Sequence, residues 1–290
     1  MKLGLQIPNF TWPGGPATLG ADLAAIARAA DEAGFEYLGV MDHFFQIPPV
    51  GPADHDMLEA YTALGFLAAH TERVKLLTLV TGAHYRQPGL LAKTVTTLDV
   101  LSGGRGVLGI GAGWYEEEAR GLGLPFPPLK DRFEILEETL RFVRQMWSDD
   151  ESAFESEHIH AERLLNSPQP LANPHPPILV GGEGEKKTLR LVAQYADACN
   201  LMASDELPRK LDVLRAHCEA VGRDFKEITV TVTDALDVGK NGENLDEFKA
   251  RLRKYAGLGV DAAIVGSLDG PDLDVIKLVG EKVIPEAAAY

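Results

Sequence analysis

The sequence predicts a (β/α)8 TIM barrel with an insertion between its fourth and fifth βα units. Three observations carry this prediction. Apolar strand-like runs and amphipathic helical runs alternate eight times along 290 residues, where about 250 is typical of such a barrel. The strand runs are short and mostly apolar, as in a parallel sheet covered by helices. No shift of composition marks a second domain, so residues 1–290 read as one unit. A doubly wound sheet shares the alternation and stands as the structural alternative.

The first strand is Leu3–Pro8, followed after a Pro/Gly loop by a helix from about Leu19 to Ala33. The second is Tyr37–Met41, with a helix from about His55 to His70. The third, Val74–Thr81, leads to a helix over Pro88–Leu101. There the punctuation is explicit. Pro88 suits a first-turn position where a missing N–H costs little, and Leu90, Leu91, Thr94, Val95, Leu98 and Leu101 recur at helical spacing. Ser102-Gly103-Gly104 ends it, because glycine accepts the left-handed geometry of a C-cap. The fourth strand is Val107–Ile110, with a long helix over Leu129–Trp147. The fifth is Ile178–Val180 with a helix over Glu185–Tyr195, and the sixth Ala198–Met202 with a helix over Leu207–Val221. The seventh is Ile228–Val232 with a helix over Leu245–Leu258, and the eighth Ala262–Val265 with a helix over Asp272–Val283. Residues 149–176 break the rhythm: long, polar and proline-rich at their end, they read as an insertion over the barrel mouth.

Composition narrows the function classes. A hydrophobic share of 45% supports a full core without disulfide or metal staples. The two cysteines form no disulfide framework, and Cys218 shares a helical stripe with Leu207, Leu211, Leu214 and Val221, which makes it a core residue. No apolar run reaches membrane-spanning length, and Met1-Lys2-Leu3 enters a strand rather than a signal peptide, so the expectation is a reduced, cytoplasmic protein. A net charge of −15 counts against nucleic acid and anionic membranes as partners. An anionic cofactor stays compatible, since helix N-termini and local lysines hold phosphate whatever the total charge.

In such barrels the active site is built from loops at the C-terminal ends of the strands. Here those loops carry Asn9-Phe10-Thr11-Trp12, Asp42-His43-Phe44-Phe45, Thr81-Gly82-Ala83-His84, Gly111-Ala112-Gly113-Trp114, Gly181-Gly182-Glu183-Gly184, Asn200 and Gly266-Ser267. They hold neither a carboxylate cluster nor a strand-end lysine, which counts against a metal centre or a Schiff base. Their glycines and aromatics suggest a flat aromatic ligand, and Gly111, Ala112 and Gly113 leave one strand end bare for its approach. His43 is the main acid/base candidate, the alternative being a loop histidine satisfied locally. Asp42 precedes it but points to the opposite face, so the two need not touch. Gly181, Gly182 and Gly184 join a buried strand to a helix, an arrangement that presents N–H groups to a phosphate, with Lys186, Lys187 and Arg190 nearby. The alternative is a glycine turn with a solvated basic face, and the usual barrel phosphate site follows later strands. Gly109-x-Gly111-x-Gly113 lacks dinucleotide-fingerprint spacing, and His158 and His160 have no cysteine partners for zinc. Glu116, Glu117 and Glu118 read as a solvated first-turn run suited to a helix dipole, with one of them a candidate for the mouth. Phe10, Trp12, Phe44, Phe45 and Trp114 fit an aromatic-walled pocket or, equally, cap packing.

At these residues the chain resembles the luciferase-like monooxygenase superfamily, and within it the F420-dependent oxidoreductases. The resemblance covers nearly the whole chain. It is carried by GLQIPNF at the start, MDHFF after the second strand, YR-x-P…LA-K…TLD-x-LSGGR…LG-x-GAGW over Tyr85–Trp114, and ILVGG-x-G…TLRLVA-x-YAD from Ile178. It implies a homodimeric barrel with a deazaflavin, coenzyme F420, or alternatively FMN, across its mouth. It implies that His43 sits near the hydride-carrying ring carbon, that Asp42 contacts the ring system, and that a non-prolyl cis peptide at Leu79-Val80, followed by Thr81, supports the ring. It matches Gly181 and Gly182, with Gly184 following, to a phosphate loop, and Trp114 and Glu117 to positions where relatives carry varied active-site residues; with Asn9, Trp12 and Phe44 from the strand-end loops these make the candidate pocket for a small-molecule substrate. Members that oxidise sugar phosphates carry a glutamate where this chain has Trp114, which counts against that substrate. The expected activity is F420-dependent hydride transfer. The alternatives are an FMN-dependent monooxygenase and a non-catalytic cofactor-binding protein, the last disfavoured by Asp42-His43.

Overall fold

The computed structural model describes residues 1–290. In chain order the elements are β1 (Lys2–Ile7), α1 (Pro16–Ala33), β2 (Tyr37–Val40), α2 (Ala60–Ala68), β3 (Lys75–Thr78), the short β4 (Thr81–Gly82), α3 (Pro88–Ser102), β5 (Gly106–Gly111), α4 (Glu116–Gly121) and α5 (Leu129–Met146). There follow β6 (Phe154–Glu155), β7 (His160–Ala161), β8 (Ile178–Gly181), α6 (Thr188–Tyr195), β9 (Ala198–Met202), α7 (Leu207–Val221), β10 (Thr229–Ala235), α8 (Leu245–Gly257), β11 (Ala262–Gly266), α9 (Leu273–Lys282) and α10 (Ile284–Ala287). The parallel strands β1, β2, β3, β5, β8, β9, β10 and β11 close into a barrel, because β1 pairs with β11 and β3 pairs with β5. Closure leaves no sheet edge and rules out the doubly wound alternative.

Strand alternation builds two apolar layers. Leu3, Leu5 and Ile7 of β1, Leu38 and Val40 of β2, and Cys199 and Leu201 of β9 face outward into the main core under the helices. Tyr37, Leu77, Val107, Leu179, Ala198, Ala262 and Ile264 face inward and fill the barrel floor. Further along the same inward rows, Leu79, Gly111, Gly181, Asn200 and Gly266 line one cavity at the C-terminal mouth, joined by Gln6 of β1 and Thr233 of β10. The period of the strand thus selects which residues the site receives.

The predicted third strand is broken. β3 ends at Thr78, the Leu79-Val80 peptide is cis, and the chain resumes pairing with β5 only at Thr81. Gly109 is required opposite this break: a Cβ there would lie 1.8 Å from the Thr78 carbonyl oxygen. The second helix begins at Ala60, not near His55, because Glu59 accepts the Thr62 N–H at 2.7 Å and caps it. The sixth helix begins at Thr188, later than Glu185. Residues 149–176 lie between α5 and β8, carry the small β6–β7 hairpin, and are tied to α3 where Asp99 accepts the N–H groups of Leu171 and Ala172. No helix is long and apolar enough to cross a membrane.

Candidate active site

The cavity at the mouth has a volume of about 660 Å³. Of the residues singled out in the sequence, it brings together His43, Leu79, Val80, Thr81, Gly111, Gly181, Gly182 and Trp114. Asp42, Gly184, Asn9, Trp12, Phe44 and Glu117 do not line it.

The organising residue is Glu118, whereas the sequence pointed to its neighbour Glu117. Glu116 and Glu117 are exposed, whereas Glu118 is fully buried in the first turn of α4. Its Oε1 accepts the Tyr85 hydroxyl at 2.6 Å and pairs with His43 Nδ1 at 3.1 Å. Its Oε2 accepts the Phe45 N–H at 2.9 Å and the Phe44 N–H. Burial pushes this carboxyl upward, but the hydrogen bonds from His43, Tyr85 and the Phe45 N–H outweigh it and leave it below the usual glutamate range. The carboxylate is therefore ionised and accepts only, so His43 carries its neutral-state proton on Nδ1 and leaves Nε2 for the cavity. Tyr85 is driven upward by burial and by Glu118, and stays a donor.

Asp42 is engaged elsewhere. It is 1% exposed, and both its oxygens are held by Arg86, whose Nη2 donates to Oδ1 at 2.9 Å and also to Glu59 Oε1 at 2.6 Å. The guanidinium lies 4.7 Å from the centre of the Tyr61 ring. This fork pairs the Asp42 charge behind the wall, and the Asp42 side chain, expected at a ring in the cavity, does not line it.

The floor is shaped for a flat group. Val80 lies between Gly111 and Gly181: an added Cβ would stand 3.1 Å from Val80 Cγ2 at Gly111 and 2.8 Å from Val80 Cγ1 at Gly181. Behind it, Thr81 Oγ1 is hydrogen-bonded to the Tyr61 hydroxyl at 2.7 Å and to Thr78 Oγ1 at 3.0 Å. This glycine-flanked surface fits a planar ring system.

The glycine loop after β8 departs from expectation in detail. Gly182, at φ +126°, gives its N–H to the Asn200 carbonyl at 3.2 Å, so that group is already used. Gly184 lies outside the cavity. Arg190 pairs with Glu137 at 2.7 Å, and the Lys187 ammonium sits 5.1 Å from the centre of the Phe133 ring. What faces the cavity is Thr188, the first residue of α6, placing a helix N-terminus at this end.

The aromatic wall also shrinks. Phe10 is buried in the core, and Trp12 packs on it at 6.0 Å. Phe44 packs on Tyr85 at 5.7 Å. Asn9 fastens two loops, donating to the Leu268 carbonyl at 3.1 Å and accepting the Thr11 N–H at 2.9 Å. Glu117 is exposed on the outer side of α4. Trp114 remains, stacked on Tyr115 at 5.0 Å and set edge-on to His43 at 5.6 Å. No group of histidine, cysteine, aspartate and glutamate side chains is arranged to hold a metal ion.

A family model described as luciferase-like monooxygenase matches residues 1–265. An uncharacterised protein of Mycobacterium tuberculosis is 31% identical over 261 residues, covering 85% of this chain and 87% of its own. A protein of Nakamurella multipartita named F420-dependent glucose-6-phosphate dehydrogenase is 31% identical over 280 residues, covering 93% of this chain and 78% of its own. Among solved structures, coenzyme F420-dependent tetrahydromethanopterin reductase from Methanopyrus kandleri superposes with a TM-score of 0.78 at 18% identity, over 99% of both chains.

Proposed function

The chain belongs to the luciferase-like monooxygenase family, and from that premise we propose that it is a coenzyme F420-dependent oxidoreductase exchanging a hydride with a small organic substrate. The observation that carries this reading is His43, oriented by a buried carboxylate at the edge of a cavity floored by Val80, Gly111 and Gly181. The 31% identity to a protein named for F420 over 93% of this chain supports the cofactor choice.

When bound, the deazaflavin supplies a ring carbon that accepts or donates a hydride. Val80, Gly111 and Gly181 would hold its ring system, and the N-terminus of α6 at Thr188 would offer N–H groups to its phosphate. His43 Nε2 takes or returns the proton that accompanies the hydride, and Glu118 steadies the imidazolium while it carries that proton. Tyr85 holds the carboxylate of Glu118 in place. Fixing these groups around the barrel mouth supplies positioning rather than new chemistry.

A spectral titration of the purified protein with F420 and with FMN tests the cofactor. F420 is expected to bind about tenfold more tightly or better, and preference for FMN would turn the reading to the monooxygenase alternative. His43→Ala is expected to abolish turnover at saturating F420 while cofactor binding persists, and unchanged turnover would refute the role of His43. The protein is also read as a cytoplasmic homodimer. The side chains of Phe66 on α2 and of Leu90 and Leu101 on α3 are exposed on neighbouring helices and suit a second copy. Sedimentation of wild type and Leu101→Glu tests this, with a dimer expected to become a monomer.

A further inference from the structure

We propose that the substrate of this cavity is an uncharged, largely apolar molecule seated against Trp114, and that sugar phosphates and other organic anions are rejected. The inference rests on the cofactor reading above and deepens it.

The first observation is where the exposed apolar side chains gather. Trp114, Leu129, Met202 and Leu268 are 55%, 57%, 51% and 55% exposed, and all four line this one cavity. They come from separate parts of the chain: the exit of β5, the start of α5, the end of β9 and the loop after β11. Scattered exposed apolar residues need no explanation, but convergence on one mouth marks an apolar ligand. The inner wall at Val80, Gly111 and Gly181 belongs to the cofactor ring, so the outer rim is left for the substrate. Trp114 is pre-positioned there: Tyr115 stacks on it at an interplanar angle of 20°, and His43 lies beside it. A molecule packed on Trp114 therefore lies next to the proton-handling imidazole.

The second observation is charge. No lysine or arginine lines the cavity. Arginines around the mouth are committed to other partners: Arg86 to Asp42 and Glu59, Arg132 to the Gly113 carbonyl and the Phe126 ring, and Arg251 to Asp234. Lys210, below the glycine loop, is held by the Glu183 carbonyl and Glu185. The one carboxylate in the lining, Asp234, has the same sign as an anionic substrate. A phosphate or carboxylate entering here loses water and gains no cation, which an ionised group does not tolerate. The N-terminus of α6 offers N–H groups to one anion, and the cofactor phosphate takes them.

Equilibrium dialysis of 2-naphthol and of 2-naphthyl phosphate, on protein saturated with whichever of F420 or FMN binds, tests the proposal. The cofactor titration alone decides the cofactor reading and the dialysis alone decides this one, so their failures are told apart. Naphthol is expected to bind at least about tenfold more tightly than its phosphate. Trp114→Ala, a half-exposed rim change that leaves the core intact, is expected to weaken naphthol by about fivefold or more and to leave the phosphate unchanged. Equal or tighter binding of the phosphate, no retention of naphthol at millimolar concentration, or unchanged naphthol affinity in Trp114→Ala would overturn the proposal.

Discussion

Replacing Glu118 separates the structural from the chemical role of the buried carboxylate. Alanine removes the acceptor of four donors at once: His43 Nδ1–H and the Tyr85 hydroxyl on one oxygen, the Phe44 and Phe45 N–H groups on the other. Each buried donor left unpaired costs about 1–3 kcal/mol, and breaking a buried charged cluster by deleting one member costs about 3–5 kcal/mol in total once the site relaxes. Glutamine keeps the shape. Its carbonyl oxygen can still accept both backbone N–H groups, so the fold should lose only about 1–2 kcal/mol. Its amide then faces His43 Nδ1 with a donor where an acceptor stood. The imidazole relieves this conflict by moving its proton to Nε2, the nitrogen that should be free for the cavity. Urea unfolding measures the first effect, and the 15N shifts of the His43 ring measure the second. Glu118→Ala should lose about 3–5 kcal/mol of stability, and Glu118→Gln should stay folded but show an Nε2–H tautomer and little turnover. Alanine stability within about 0.5 kcal/mol of wild type, or a glutamine variant with the wild-type tautomer and full turnover, would refute the reasoning.

Acid should destabilise the protein through His84, whose imidazole is 7% exposed, has no hydrogen-bond partner at either nitrogen, and is held down to about 4 by burial and by Arg132. Its folded value lies below the unfolded one, so the unfolded chain binds the extra proton and stability falls from about pH 6.5 to about pH 4, by about 3 kcal/mol at most; His84→Phe should flatten that slope in thermal melts across this range. The lowered Glu118 carboxyl adds loss in the same direction. Gly181→Ala places a Cβ 2.8 Å from Val80 Cγ1 and should displace the floor, weakening F420 about tenfold in the titration while leaving urea stability nearly unchanged. Asp42→Asn leaves Arg86 one acceptor oxygen at that position and Glu59 as its only carboxylate, and should cost about 2–4 kcal/mol in urea unfolding, with cofactor affinity little altered; the reverse pattern would restore Asp42 to the cofactor site.

Local patterns were enough to set the frame of this fold. Pro88 and the Gly103-Gly104 stop bound α3 as read, because those signals depend only on neighbouring residues. The helix over Leu207–Val221 matches for the same reason, its apolar stripe and αL Gly222 being local. The helix expected from about His55 begins instead at Ala60, behind the Glu59 cap. The third strand reads as one apolar run, yet its pairing with β5 stops at Leu77 and resumes only at Thr81.

The sequence by itself determined the eightfold alternation, the strand ends that face the mouth, and His43 with its glycine-lined floor, because period and loop position are local properties. Only the tertiary structure decided what those residues do to each other. Arg86 reaches Asp42 across 44 positions and Glu118 reaches His43 across 75, distances over which a pattern of residue types carries no information about contact. Which of three adjacent glutamates is the buried one depends on the rotation of α4 against the barrel, and that rotation is fixed by packing rather than by propensity.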